Sequence, residues 1–170
     1  MAIKPDTLIG NADYDISRYV TAISGPSTTR MERGGVVCST TGSSGPASGS
    51  AMDSALALVE YATNPSGRVA VGVLMGDFVN IDLSRQVVNW CKDEQQIGQK
   101  ATLATRGTIV TNMIDPTSAT GNIPATAYAG ASGLFTQTNP GGFPAVGRFM
   151  SRKDSDGYAK IQFDMLANLS

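Results

Sequence analysis

The sequence predicts an all-β domain, a small closed barrel or sandwich, led by an extended N-terminal arm over residues 1–33. The domain proper covers 34–170 and carries a long irregular insertion at about 115–144. Three observations predict this. From Arg68 onward, short apolar or alternating runs rich in Val, Ile and Thr follow one another, the pattern of strands. Gly and Pro punctuate them, with 19 Gly and 8 Pro in 170 residues. No stretch sustains the 3.6-residue period of a long helix, and many short strands with such punctuation favour barrels and sandwiches.

The first fifty residues are broken by Gly10-Asn11, Ser24-Gly25-Pro26, Gly34-Gly35 and Gly42-Ser43-Ser44-Gly45-Pro46. The apolar pieces between them, Ile16 to Ile23 and Val36-Val37-Cys38, are too short to offset their own ordering entropy. An arm ordered by lying on a neighbouring surface is therefore expected, with Tyr14, Ile16, Tyr19, Val20 and Ile23 as anchors; the alternative is a disordered leader. Ala51 to Tyr61 reads two ways. Ser50 with Asp53 makes a capping box for a short helix, while the alternation of Leu56, Leu58 and Glu60 against Ala57, Val59 and Tyr61 favours a strand in the second half. Asn64-Pro65-Ser66-Gly67 closes the segment as a turn.

Val69 to Met75 is a buried-strand run, stopped at Gly76-Asp77. Asp77 to Leu83 alternates, with a possible bulge at Phe78-Val79, and Val87 to Cys91 is a further candidate strand. Lys100 to Thr105 and Thr108 to Ile114 read as two strands separated by Arg106-Gly107, the second rich in β-branched residues. Within the insertion, Gly133-Leu134-Phe135-Thr136 is the one strand piece. Val146 to Ser151 and Tyr158 to Phe163 close the chain as a hairpin, signalled by Asp156-Gly157.

Composition narrows the function classes. Thirteen Lys and Arg stand against fourteen Asp and Glu, scattered along the chain; a nucleic-acid binder needs a concentrated basic patch. No apolar run approaches the roughly 18 residues of a membrane span, and the polar start Met1-Ala2-Ile3-Lys4-Pro5-Asp6 does not read as a secretory signal. Cys38 and Cys91 fit neither a disulfide framework nor a zinc site and read as reduced thiols. The chain has no His, which removes serine triads, cysteine–histidine pairs and most zinc centres.

The remaining chemistry is sparse. Asp154-Ser155-Asp156-Gly157 lacks the later oxygens and the bidentate Glu of a calcium loop, so it reads as a turn. Asp77 and Asp82 flank a strand, yet paired carboxylates act only at a defined separation that no sequence spacing supplies. Asp93-Glu94 reads as a solvated turn. Gly42 to Pro46 and Gly141-Gly142 lack the Lys and helix start of a phosphate loop. No catalytic residue, cofactor or metal is expected, and the chain is not expected to be an enzyme.

One set of motifs resembles a known group. Asn64-Pro65-Ser66-Gly67-Arg68-Val69, Gly72-Val73-Leu74, Val79-Asn80-Ile81-Asp82 with Arg85-Gln86, Asn89, Lys92-Asp93-Glu94, Ile97-Gly98, Lys100, and Gly107 with Val110-Thr111-Asn112 resemble the head decoration (cement) proteins of tailed bacteriophages. Val146-Gly147-Arg148-Phe149 through Lys153-Asp154 and Asp156-Gly157-Tyr158-Ala159-Lys160 are similar to their closing hairpin. The resemblance covers roughly Tyr61 to Ile114 and Ala145 to Phe163. It implies a small β-barrel or β-tulip-like domain with an extended arm, made in the bacterial host cytoplasm and placed on the outer surface of the capsid. The implied partners are the major capsid protein and further copies of the chain, a trimer being favoured over a dimer, with no nucleic acid and no membrane. Tyr14, Ile16, Tyr19 and Ile23 would then be the capsid-facing anchors. The alternative reading is a tail or baseplate structural protein whose insertion contacts a receptor.

Overall fold

The computed structural model describes residues 7–19, 32–39, 58–79, 94–96 and 100–165. They form an all-β, barrel-like fold with eleven strands: β1 (Thr7–Tyr19), β2 (Val36–Ser39), β3 (Leu58–Glu60), β4 (Ala70–Leu74), β5 (Asp77–Val79), β6 (Glu94–Gln96), β7 (Lys100–Thr111), β8 (Ala125–Ala129), β9 (Phe135–Thr136), β10 (Ala145–Phe149) and β11 (Ala159–Asp164). Nine of them share one curled sheet in the order β1-β3-β2-β4-β7-β11-β10-β8-β9, and β1 also pairs with β7. The neighbours therefore form a closed circuit, β1-β3-β2-β4-β7 and back to β1. A second circuit runs β7-β11-β10-β8-β9 and returns through the parallel bridge of Ile114 to Phe135.

Strand β7 belongs to both circuits, and its length is the reason. Twelve residues at about 3.3 Å each span roughly 40 Å, enough to pair with β4 at Leu103 and Ala104 and then with β11 from Arg106 to Thr111 along the same edge. The other edge is taken by β1, from Thr7 opposite Val110 to Arg18 opposite Lys100, with register breaks between Ile9 and Tyr14. Two separate strands were expected here, divided at Arg106-Gly107. One continuous strand forms: Gly107 sits at φ 150, which a glycine adopts without a Cβ penalty, and its pairing with Phe163 keeps the β11 register unbroken from Arg106 to Thr111.

The two circuits enclose two cores. Val37, Val59, Leu74, Phe78, Ala101 and Leu103 fill the first. The second is built from Ile109, Phe135, Val146, Phe149, Ile161 and Phe163 with several alanines. Strand β2 lies between them: Val37 faces one core while Val36 and Cys38 face the other. All three are at most 1% exposed, which explains an unbroken apolar triplet where alternation would mark a solvated face. Phe78, Phe135, Phe149 and Phe163 are all fully buried. Each contributes about 1.5–3 kcal/mol by leaving water, so a chain poor in aromatics concentrates them where they stabilise most.

Other expectations compare as follows. The second half of the ambiguous 51–61 stretch is indeed strand, β3; residues 51–57, 80–93 and Ile23 lie outside the described residues. Asp93-Glu94 was expected as a turn, whereas Glu94–Gln96 pairs in parallel with Asp77–Val79. The connection at 115–144 is long but not wholly irregular, since it adds β8 and β9 to the sheet. Its Ala125-Thr126-Ala127-Tyr128-Ala129 alternates correctly but with small residues, which pack closely and give little hydrophobic signal. The closing hairpin forms as expected, with Phe149 opposite Ile161 and Gly147 opposite Phe163.

Candidate functional site

Three groups of polar side chains in the described structure tie separate segments of the chain to one another. The first is Tyr61, just after β3. Its hydroxyl donates to the Glu32 carbonyl (2.5 Å) and accepts the Gly35 N–H (3.2 Å). The ring passes so close to Gly35 and Gly133 that a Cβ at either position would collide with it. Beside it the Arg33 N–H donates to Asp77 Oδ1 (2.8 Å), the Gly34 N–H to the Leu74 carbonyl (2.7 Å) and the Ser132 N–H to the Ala62 carbonyl (2.7 Å). One aromatic side chain thus fastens the entry of β2 and the loop before β9 to the end of β3.

The second place is the turn at 64–69. Asn64 Oδ1 accepts the Ser66 N–H (3.0 Å), and the Arg68 N–H donates to the Pro65 carbonyl (3.0 Å). Asn, Pro, Ser and Gly stand in that order because an Asx turn needs a short acceptor and the chain must then reverse. The loop is tied across to 139–143: the Gly67 N–H donates to the Gly142 carbonyl (3.1 Å) and Ser66 Oγ to the Gly141 carbonyl (3.2 Å). From its far side the Arg68 guanidinium pairs with the Glu60 carboxylate, their side chains only 14% and 12% exposed. Cys38 is the register partner of Glu60. Burial pushes its thiol up to about 11, a smaller lowering by Arg68 opposing it and Glu60 adding to it. At neutral pH the thiol is therefore protonated and a poor nucleophile.

The third place is the pair of loops at 115–121 and 150–158. Lys153 Nζ donates to the carbonyls of Asp115 (3.0 Å) and Pro116 (2.7 Å), and Arg152 Nε to that of Gly121 (3.1 Å). Asp115 Oδ1 accepts the Thr117 N–H (2.9 Å). Asp154 Oδ1 takes the N–H groups of Asp156 (3.0 Å) and Tyr158 (2.9 Å), so the Asp154 carboxylate shapes the hairpin turn.

Of the expected arm anchors, Tyr14, Ile16 and Tyr19 have their backbone in β1, opposite Ala104, Thr102 and Val59 respectively; Val20 and Ile23 lie outside the described residues. Over Thr7–Tyr19 the arm is a strand of the chain's own sheet. Asp77 caps the Arg33 N–H, and Asp82, Trp90 and Cys91 lie outside the described residues. Among the described residues, no three Cys, Asp or Glu side chains are grouped to hold a metal ion. Sequence reasoning missed Tyr61 and Lys153. Only a glycine pair placed to receive a ring, and a loop rich in free carbonyls, would have signalled them, and both are tertiary properties. No protein-family model matches the chain, and no curated protein matches it.

Proposed function

We propose that this chain is a capsid decoration, or cement, protein that binds the outer surface of a phage head and clamps neighbouring major capsid protein subunits. The observation that carries this reading is the turn at Asn64–Val69. Residues of one motif of the resemblance, Asn64, Ser66, Gly67 and Arg68, lock two loops together and anchor them to Glu60. A fastener must transmit load without yielding, and cross-bonded loops on a double-cored sheet suit that task. Tyr61, Arg152, Lys153 and Asp154 are used in the same way, on the chain's own backbone.

The energetic logic is avidity. A homo-oligomer, a trimer before a dimer, engages several capsid subunits at once, so modest contacts multiply into tight retention. The test is co-sedimentation of the full-length chain with undecorated, expanded heads, followed by gold-labelled antibody on whole particles. Saturable binding to heads and gold on the capsid shell support the reading. Gold confined to tails would favour the tail or baseplate alternative, and failure to bind heads at micromolar concentration would refute the cement role.

A further inference from the structure

Among the described residues, the outer face of β10 and β11 carries two exposed cations that enter no ion pair. Arg148 on β10 stands opposite Gln162 on β11 and Thr126 on β8. Lys160 stands two residues before Gln162 and opposite Val110. Alternation along β11 puts Lys160 and Gln162 on the exposed face, and Arg148 is exposed with them. Arg148 and Lys160 are thus diagonal neighbours, roughly 7–8 Å apart at the backbone.

Two further observations bear on this pair. Along the strands the carboxylates of this face lie at the end away from Lys160, where Asp164 is 3.5 Å from Arg106 and exposed Asp13 is register partner to the same arginine; Asp154 and Asp156 are exposed in the turn at the other end, with Arg152 exposed beside them. Among the described residues neither Arg148 nor Lys160 is ion-paired. Next to them, Met150 donates its N–H to the Lys160 carbonyl (2.7 Å) and is 44% exposed; Val69 is the other exposed large hydrophobic among the described residues. An exposed Met beside an Arg is the composition that interfaces favour.

We propose that this face docks an acidic protein segment, with carboxylates meeting Arg148 and Lys160 and an apolar side chain covering Met150. If the cement reading holds, that segment belongs to the capsid surface. The chemistry of the face stands without it.

The test uses the full-length chain and a fluorescent peptide of ten glutamates, followed by anisotropy. Wild type should bind, and binding should weaken about tenfold in R148E/K160E and again as salt rises from about 50 to about 300 mM. The milder R148Q/K160Q should fall between, and it decides the matter should charge reversal disturb folding in a circular-dichroism melt. No binding by wild type, or equal binding by all three chains, overturns the proposal. Undecorated heads supply the second arm. Full occupancy by R148E/K160E also overturns it, whereas heads that bind neither chain refute the cement role and leave the peptide result to decide the face.

Discussion

Replacing Tyr61 by Phe isolates one atom of the clasp. The ring stays against Gly35 and Gly133, while the hydroxyl that serves the Glu32 carbonyl and the Gly35 N–H is lost. Each lost bond costs about 1 kcal/mol, and the buried Gly35 N–H is left without that acceptor at a further 1 kcal/mol or so. The expected loss is therefore roughly 2–3 kcal/mol, or about 5–10 °C in melting temperature for a domain of this size. Tyr61→Ala should cost about 3–5 kcal/mol in all, because the ring's packing goes as well. Urea unfolding followed by tryptophan fluorescence and circular dichroism measures both. A double-mutant cycle with Gly133→Ala sharpens the test. Gly133 sits at φ +79, so Ala pays about 1–2 kcal/mol of backbone strain in any background; only with Tyr61 present does its Cβ also strike the ring. The Gly133→Ala cost should thus shrink in the Tyr61→Ala background. A Tyr61→Phe chain within about 0.5 kcal/mol of wild type, or a strictly additive cycle, would refute the clasp.

Three other outcomes follow from the same contacts. Arg68→Ala strands the Glu60 carboxylate in a mostly enclosed site and should destabilise by roughly 2–4 kcal/mol, between the exposed and fully buried limits for an ion pair; Arg68→Ala with Glu60→Gln should recover part of it in the same denaturation assay. Cys38 has its folded pKa raised to about 11 from 9.0, chiefly by burial. Its contribution to stability is therefore complete below about pH 9 and is lost as pH climbs towards 11. Cys38→Ala should flatten that alkaline slope in pH-dependent melts, and a thiol reagent at pH 8 should label Cys38 only on unfolding. Lys153→Met releases the Asp115 and Pro116 carbonyls, so limited proteolysis should cut within 115–121 faster than in wild type, with the cut sites read by mass spectrometry.

Strand identity was legible in the sequence wherever one residue type dominated a face. Val69 to Met75 announced β4, and Asp156-Gly157 announced the β10–β11 hairpin, because a tight turn places narrow demands on its residues. The signal failed where burial is two-sided or packing is by small residues. Val36-Val37-Cys38 looked too short to matter because a triplet cannot show that both its faces meet a core. Ala125 to Ala129 looked like loop because alanine reports neither strand propensity nor burial. The self-fastening contacts were less legible still. Lys153 reaches carbonyls 37 and 38 positions away, and no local rule connects residues at that distance.

The shared strand changes how any contribution of residues 1–33 can be measured. Deleting them would remove β1 and with it the partner of one whole edge of β7, from Lys100 to Val110. Because β7 carries both circuits, the deletion bares a long row of unpaired backbone groups, a template for aggregation, and opens the first circuit at β3 as well. Weaker head binding by such a chain would report a damaged fold as readily as a lost anchor. Single substitutions at Tyr14, Ile16 and Tyr19 keep the backbone ladder, so binding and stability can be read separately from one protein. If those side chains reach the capsid, Tyr14→Ser and Tyr19→Ser should each weaken head binding while shifting the urea midpoint little. A midpoint that falls in step with binding would instead make them part of the sheet's own packing.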